Sequence, residues 1–238
     1  MSGRIFITGD THGSHSIRKL SSNSFNKNNE LNLDKNDYLI ICGDFGLIFY
    51  PENSRYDNSD RYWLDWLDDK PWTTLFVDGN HENFERLNSY QPMTWNGGKI
   101  HEIRESVYHL MRGQVFDLNG KKFFTMGGAP SHDIAYRTEN KDWWREEVPS
   151  ISEREEAVAN LSKNNWKVDY IITHDAPTSI ANRLIDTQDR ELNEFTDWLE
   201  EIGLQTDFDQ WFFGHYHKDV ELVDGKFQAM YNDVAQVI

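Results

Sequence analysis

Thr74-Leu75-Phe76-Val77-Asp78-Gly79-Asn80-His81-Glu82 is the stretch whose reading decides the architecture. A short apolar run stops at Asp-Gly, and an amide, an imidazole and a carboxylate follow at once. Apolar runs of this length, bounded by turn residues, suit strands buried on both faces. Gly79 lets the chain turn tightly, and a helix is expected to begin just after Glu82.

The same arrangement recurs along the chain. Residues 4–8 lead into Asp10-Thr11-His12, and residues 38–42 lead into Gly43-Asp44. Residues 170–172 precede Thr173-His174, and residues 211–213 precede Gly214-His215-Tyr216-His217. Helical patterns lie between these runs, over residues 14–20, 61–67, 152–161 and 190–202. Alternation of strand and helix predicts an α/β architecture, in which ligands gather outside the carboxyl ends of the strands. Two stretches depart from it. Residues 101–127 read as consecutive hairpins, with Asn119-Gly120 as the turn between 115–118 and 121–125. After His217, Asp224-Gly225 separates 220–223 from 226–230. These segments predict a second sheet or an extension of the first. The Asn-rich residues 23–36 read as a surface loop, and Trp63, Trp66 and Trp198, at helical spacing, read as core.

At 238 residues the chain is expected to form one domain, residues 1–238, with a substantial core. Its hydrophobic fraction of 38% is low, but 9 Trp, 10 Tyr and 14 Phe supply bulky burial. A formal net charge of −16 argues against a long nucleic-acid partner, because phosphate backbones demand clustered Lys and Arg. A small anionic substrate is compatible with that charge, because bound cations dominate a local field. The single Cys42 excludes an intramolecular disulfide framework and fits a reducing compartment. Neither a signal-type apolar segment nor a stretch of membrane-spanning length is evident, so the expectation is a cytoplasmic protein with no membrane partner.

The clusters together supply two Asp, one Asn and five His at strand ends. That is the ligand inventory for a pair of divalent metals plus one spare imidazole. Imidazole and carboxylate suit Zn, Fe and Mn. Asp10 and His12 alternate on an extended segment and are expected to share a face, as are His215 and His217. Each cluster alone could be a satisfied buried polar group. All of them in one order, each at a strand end, point to a site.

The order Asp-x-His, Gly-Asp, Gly-Asn-His-Glu, His, Gly-His-x-His resembles the calcineurin-like metallophosphoesterase superfamily, from Asp10 to His217. The resemblance implies a four-layer α/β sandwich of two packed mixed sheets flanked by helices. It further implies that Asp10, His12 and His217 hold one metal, that Asn80, His174 and His215 hold the other, and that Asp44 bridges both. His81, left over after ligation, becomes the general acid for the leaving oxygen, a task that suits an imidazole. Two such cations lower the pKa of water and clamp phosphoryl oxygens. Of the metals, Mn comes first, then Fe or Zn.

One departure matters. Where protein phosphatases of this superfamily carry Gly-Asp-x-x-Asp-Arg-Gly, this chain reads Gly43-Asp44-Phe45-Gly46-Leu47-Ile48. The Asp that pairs with the general acid and the phosphate-gripping Arg are missing, which leaves Asp78 as the nearby carboxylate in sequence. The preferred function is hydrolysis of a small soluble phosphoester, diester before monoester, with cyclic nucleotides as an example. A phosphomonoesterase or protein phosphatase is the alternative, and a catalytically inactive scaffold of the same fold is a further one. Residues 127–145 are expected to form one wall of the substrate pocket. His132 and Arg137 are its candidate contacts, Trp143 and Trp144 could stack on a base, and Arg112 is a weaker candidate. His15, His101 and His109 read as ordinary core or surface histidines.

Overall fold

The alternation of side chains along short strands builds the layers of this protein, whose computed structural model describes residues 3–21, 24–25, 31–185 and 193–238. Strand β1 (Ile5–Thr8) turns Ile5 and Ile7 one way and Phe6 the other. β2 (Tyr38–Cys42) and β3 (Thr73–Val77) repeat this, with Ile40, Cys42, Leu75 and Val77 on the first face and Leu39, Ile41 and Phe76 on the second. β4 (Pro92–Trp95), β5 (Gly98–Arg104) and β6 (Val107–Leu110) extend the sheet. A second sheet is built from β7 (Gln114–Leu118), β8 (Lys121–Met126), β9 (Tyr170–Thr173), β10 (Gln210–Phe213), β11 (Val220–Leu222) and β12 (Phe227–Ala229). The last strand, β13 (Val234–Gln236), returns to the first sheet.

The strand orders are β13-β1-β2-β3-β6-β5-β4 and β11-β12-β10-β9-β8-β7. Both sheets are mixed: β1, β2, β3 and β6 run parallel, as do β8, β9, β10 and β12, with antiparallel neighbours outside them. The inward faces meet in one core, where Ile5, Ile7, Leu75 and Val77 pack with Phe116, Phe123, Ile172 and Phe212. Helix α1 (Asp57–Asp68) covers the outer face of the first sheet through Leu64 and Leu67. A short α2 (Phe84–Leu87) adds Phe84 and Leu87 to that core. On the second sheet, α3 (Ile151–Lys163), α4 (Thr178–Ala181) and α5 (Glu194–Gln205) bury Ala157, Leu161, Ile180, Phe195, Leu199 and Ile202. The result is the expected four layers.

Several expectations need adjustment. Residues 14–20 form turns and a single 3₁₀ turn at Ile17–Leu20 rather than an α-helix. The two buried residues there, Ile17 and Leu20, are three apart, a spacing a tighter helix also satisfies. The hairpins of 101–127 divide between the sheets: β5 and β6 join the first, β7 and β8 open the second. Asn119 and Gly120 both adopt positive φ, 54° and 81°, as the two-residue turn requires. Helix α5 begins at Glu194, and the start of the expected pattern at 190–192 lies outside the described residues, as do Asn23 and residues 26–30 of the Asn-rich stretch. Trp63, Trp66 and Trp198 pack against the cores only partly buried. Among the described residues no helix is long and apolar enough to cross a membrane.

Candidate metal centre

The carboxyl ends of β1, β2, β3, β9 and β10 deliver the polar clusters to one place. The ligand atoms of Asp10, His12, Asp44 and His217 all lie within 4.8 Å of one another. Asp10 Oδ2 faces His217 Nε2 at 3.1 Å and His12 Nε2 at 3.8 Å. Asp44 turns its two oxygens to different histidines, Oδ2 to His12 Nε2 at 3.7 Å and Oδ1 to His174 Nε2 at 3.3 Å. Asn80 Oδ1 stands 3.2 Å from the same His174 Nε2. The His215 ring lies 5.0 Å from that of His174. His81 neighbours His12, with ring centres 5.1 Å apart, and its backbone N–H donates to Asp44 Oδ1 at 2.9 Å. The structure thus brings together every residue for which the sequence suggested ligation or proton donation.

Local backbone geometry explains how. His12, Asp44, His215 and His217 all have left-handed φ, at 44°, 45°, 64° and 50°. Asp10 and His12 therefore share the site through a turn rather than through strand alternation, and so do His215 and His217. Such conformations cost on the order of 1–3 kcal/mol each and persist where the surroundings impose them, often at functional sites. Glycine supplies the room. A Cβ on Gly79 would stand 2.2 Å from Asp44 Oδ1, and one on Gly214 would stand 2.1 Å from Asp10 Oδ1. Both carboxylates rest against bare backbone, where any side chain would displace them.

The electrostatics suit cations. Asp10 Oδ2 is buried and makes no hydrogen bond, although His217 Nε2 lies 3.1 Å away. His174 donates from Nδ1 to the Cys42 carbonyl at 2.8 Å, which turns Nε2 toward Asn80 and Asp44. Burial alone would lower the pKa of His174, but the charge and hydrogen bond of Asp44 and the charge of Asp10 raise it to about 10. Burial would likewise raise Asp44, yet His174, His81 and His12 hold it well below the ordinary carboxylate range. Burial and the neighbouring His174 push His215 down to about 3, leaving a neutral imidazole, the form that binds metal. A buried carboxylate oxygen without a hydrogen bond, set among imidazole nitrogens, fits a divalent cation. Asp10, His12 and His217 could hold one ion, Asn80, His174 and His215 a second, with Asp44 between them.

Supporting residues came less directly from the sequence. Glu82, quoted within its cluster but given no role, is fully buried. Its Oε1 accepts from Phe45 N at 2.7 Å and its Oε2 from Gly79 N at 2.9 Å, tying two ligand loops together. Ser131 Oγ accepts from Asn80 Nδ2 at 3.0 Å and so turns the amide oxygen of Asn80 toward His174. Lys19, half-buried beside the first cluster, donates to the carbonyls of Gly9 and Asp10, both at 2.9 Å. The spacing of Glu82 after Gly79 was a usable signal, and Ser131 lies in the 127–145 segment expected to reach the site; Lys19 carried none.

Asp78 does not orient His81. It accepts from His109 Nε2 at 3.0 Å and from Arg112 Nε and Nη2 at 2.9 and 2.6 Å. His109 in turn shares a hydrogen bond through Nδ1 with His101 Nδ1, 3.1 Å away. Arg112 is thus no substrate contact: it neutralises a buried carboxylate behind the Asn80 loop. Breaking a buried pair from one side strands the other charge, so Arg112→Met should destabilise the protein by about 3–5 kcal/mol. Adding Asp78→Asn should recover part of that loss in denaturant titrations, and equal stability of the single and double variants would refute the pairing argument.

The 127–145 segment reaches the site in part. The His132 ring is 5.7 Å from that of His215. Arg137 pairs with Asp133 at 2.6 Å and donates to the Asp142 carbonyl at 3.0 Å. Burial lowers the pKa of His81, Asp44 raises it, Arg137 lowers it further, and Asp133 acts the other way. Trp144 is buried in the first-sheet core against Phe49 and cannot stack on a ligand.

A family profile described as Calcineurin-like phosphoesterase matches residues 3–219. No curated protein sequence matches the chain. Among solved structures, the crystal structure of phosphopantetheinyl hydrolase (PptH) from Mycobacterium tuberculosis is similar, with a TM-score of 0.50 and 15% identity. The match covers 97% of this chain and 90% of that one, and at this identity the likeness is one of fold.

Proposed function

The chain belongs to the calcineurin-like phosphoesterase family, a family of metal-dependent hydrolases, and we propose that it hydrolyses a small soluble phosphoester, diester in preference to monoester, with two divalent cations. The observation that carries this reading is the convergence of Asp10, His12, Asp44 and His217 within 4.8 Å around a buried carboxylate oxygen that makes no hydrogen bond. When bound, the cations supply Lewis-acid polarisation of the phosphoryl group and a lowered pKa for the attacking water.

The chain's own groups do the rest. Asp44, with one oxygen toward each histidine set, holds the two halves of the centre in register. Ser131 keeps the oxygen of Asn80 turned inward, and the Cys42 carbonyl keeps Nε2 of His174 turned inward. His81 sits at the edge of the centre beside His12 and donates a proton to the departing oxygen. The diester preference rests on the missing protein-phosphatase Asp and Arg at the second cluster. Manganese is the first choice among metals, and the mixed oxygen and nitrogen donor set is open to Fe and Zn as well. The acidic charge of −16 supports small substrates over long nucleic acid, and the lone buried Cys42 supports a cytoplasmic setting.

The deciding experiment strips the protein with chelator and restores Mn, Fe or Zn singly. Each form is assayed against an aryl phosphate monoester, an aryl phosphate diester, a phosphopantetheinyl ester and a panel of cyclic nucleotides. Turnover should vanish on stripping and return with metal, diesters leading. Undiminished turnover in verified metal-free protein would end the two-metal reading, and a lead for monoesters would overturn the diester preference.

A further inference from the structure

Beside His12 and His81 the surface opens into a cleft of about 810 Å³. That is the size of a small-molecule pocket. Its lining includes Phe49, Tyr50, Arg55, Tyr56 and Tyr231. Aromatic rings run outward from the reaction centre in contact with one another. His81 lies 6.5 Å from Phe49, Phe49 meets Tyr50 edge-on at 5.4 Å, and Tyr50 stacks with Tyr56 at 5.3 Å. Tyr231 adds a ring stacked on His217 at 4.6 Å. Arg55 lies over Tyr56, 4.5 Å from the ring centre, and donates to its hydroxyl.

Two features separate this row of rings from ordinary core. Tyr50 and Tyr56 are 36% and 51% exposed, so they stabilise little by burial. Yet the segment that carries them is held firmly from beneath. Tyr50 N donates to Asp60 Oδ2 at 3.3 Å, the Tyr50 carbonyl accepts from Arg86 Nη1 at 2.8 Å, and Arg86 pairs with the fully buried Asp57 at 2.8 Å. A buried ionic network that fixes exposed aromatic rings next to a proton donor is the construction of a binding surface.

We infer that this cleft is the leaving-group subsite and that it selects phosphoesters whose leaving group is a planar aromatic over those whose leaving group is aliphatic. The inference rests on the proposed role of His81, since the group that His81 protonates departs on its side, where the rings begin. Phe49 borders the departing oxygen, and Tyr50 and Tyr56 offer π surface beyond it. Stacking on aromatic side chains is tolerant of the identity of the ring, so the subsite reads planarity and not a hydrogen-bond pattern.

The test uses the manganese-loaded full chain and two esters of matched leaving-group acidity, one 2-naphthyl and one fluoroalkyl, so that demand on His81 is equal. The wild type should favour the naphthyl ester roughly tenfold or more in kcat/KM, the worth of one aromatic stacking contact. Tyr56→Ala should collapse that ratio toward one through KM, and Tyr56→Phe should retain it. Binding of 2-naphthol to the metal-free wild type, followed by saturation-transfer NMR, gives a readout independent of turnover. It should be present in the wild type and Tyr56→Phe and lost in Tyr56→Ala and Tyr50→Leu. A wild-type ratio near one, or no naphthol binding, overturns the subsite. Failure of both esters to turn over while naphthol still binds in a Tyr56-dependent way sinks the hydrolytic reading and upholds the aromatic subsite.

Discussion

Replacing His81 with alanine is expected to slow hydrolysis of an alkyl phosphoester roughly 10²–10⁴-fold, the usual worth of a general acid, with both metals retained. The separation of the two effects follows from how His81 is attached. Its backbone N–H donates to Asp44 Oδ1, and alanine keeps that contact. The ring that is lost borders His12 and Phe49, at the mouth of the aromatic cleft. Because a weakly basic leaving group departs without a proton, the loss should be much smaller for activated aryl esters. Rates for alkyl and activated aryl esters, paired with metal content by plasma emission, decide the matter. Equal losses would argue against proton donation, and a parallel fall in metal would make His81 a ligand.

Asp44→Asn should abolish turnover at ordinary metal concentrations, because it weakens the centre by more than the roughly 10–100-fold in metal affinity lost when a merely supporting group is removed. The two oxygens of Asp44 face different histidines, Oδ2 toward His12 and Oδ1 toward His174. Asparagine removes the charge and sets an NH₂ against one of them. The backbone is not expected to be the cause, since Asn tolerates the left-handed φ of 45° found at Asp44. Metal titration by calorimetry, with circular dichroism to verify the fold, checks this. Wild-type affinity at both sites in the variant would remove Asp44 from the bridging position.

The strands and the polar clusters that follow them were legible because their signals are local. Ile5, Phe6 and Ile7, or Leu75, Phe76 and Val77, read as buried on both faces from a few consecutive apolar residues. The polar cluster after each could be assigned to a strand end. The Asn119-Gly120 turn was legible for the same reason: two adjacent residues that accept positive φ specify it. The order of the clusters supplied the family resemblance, and with it the layers. The division of 101–127 between two sheets was not local. Residues 111–113 carry the chain from one sheet to the other, and nothing within the hairpins' own alternation says which neighbour each will find.

The sequence by itself therefore determined the chemistry of this protein: an α/β scaffold with carboxylate, amide and imidazole groups at strand ends, and one imidazole to spare. Tertiary structure alone decided the partners. Asp78 lies three residues from His81, but its charge is taken by His109, on the adjacent strand β6, and by Arg112, just after that strand. Ser131 orients Asn80 from 51 residues away. Tyr50 and Tyr56, unremarked in the sequence, line the cleft beside His81, while Trp144, the better sequence candidate for stacking, is sealed in the core. The physical reason is one of range. Backbone preference and side-chain periodicity act over a few residues, but a buried charge or a free ring face is satisfied by whatever the packed layers place beside it, at any separation along the chain.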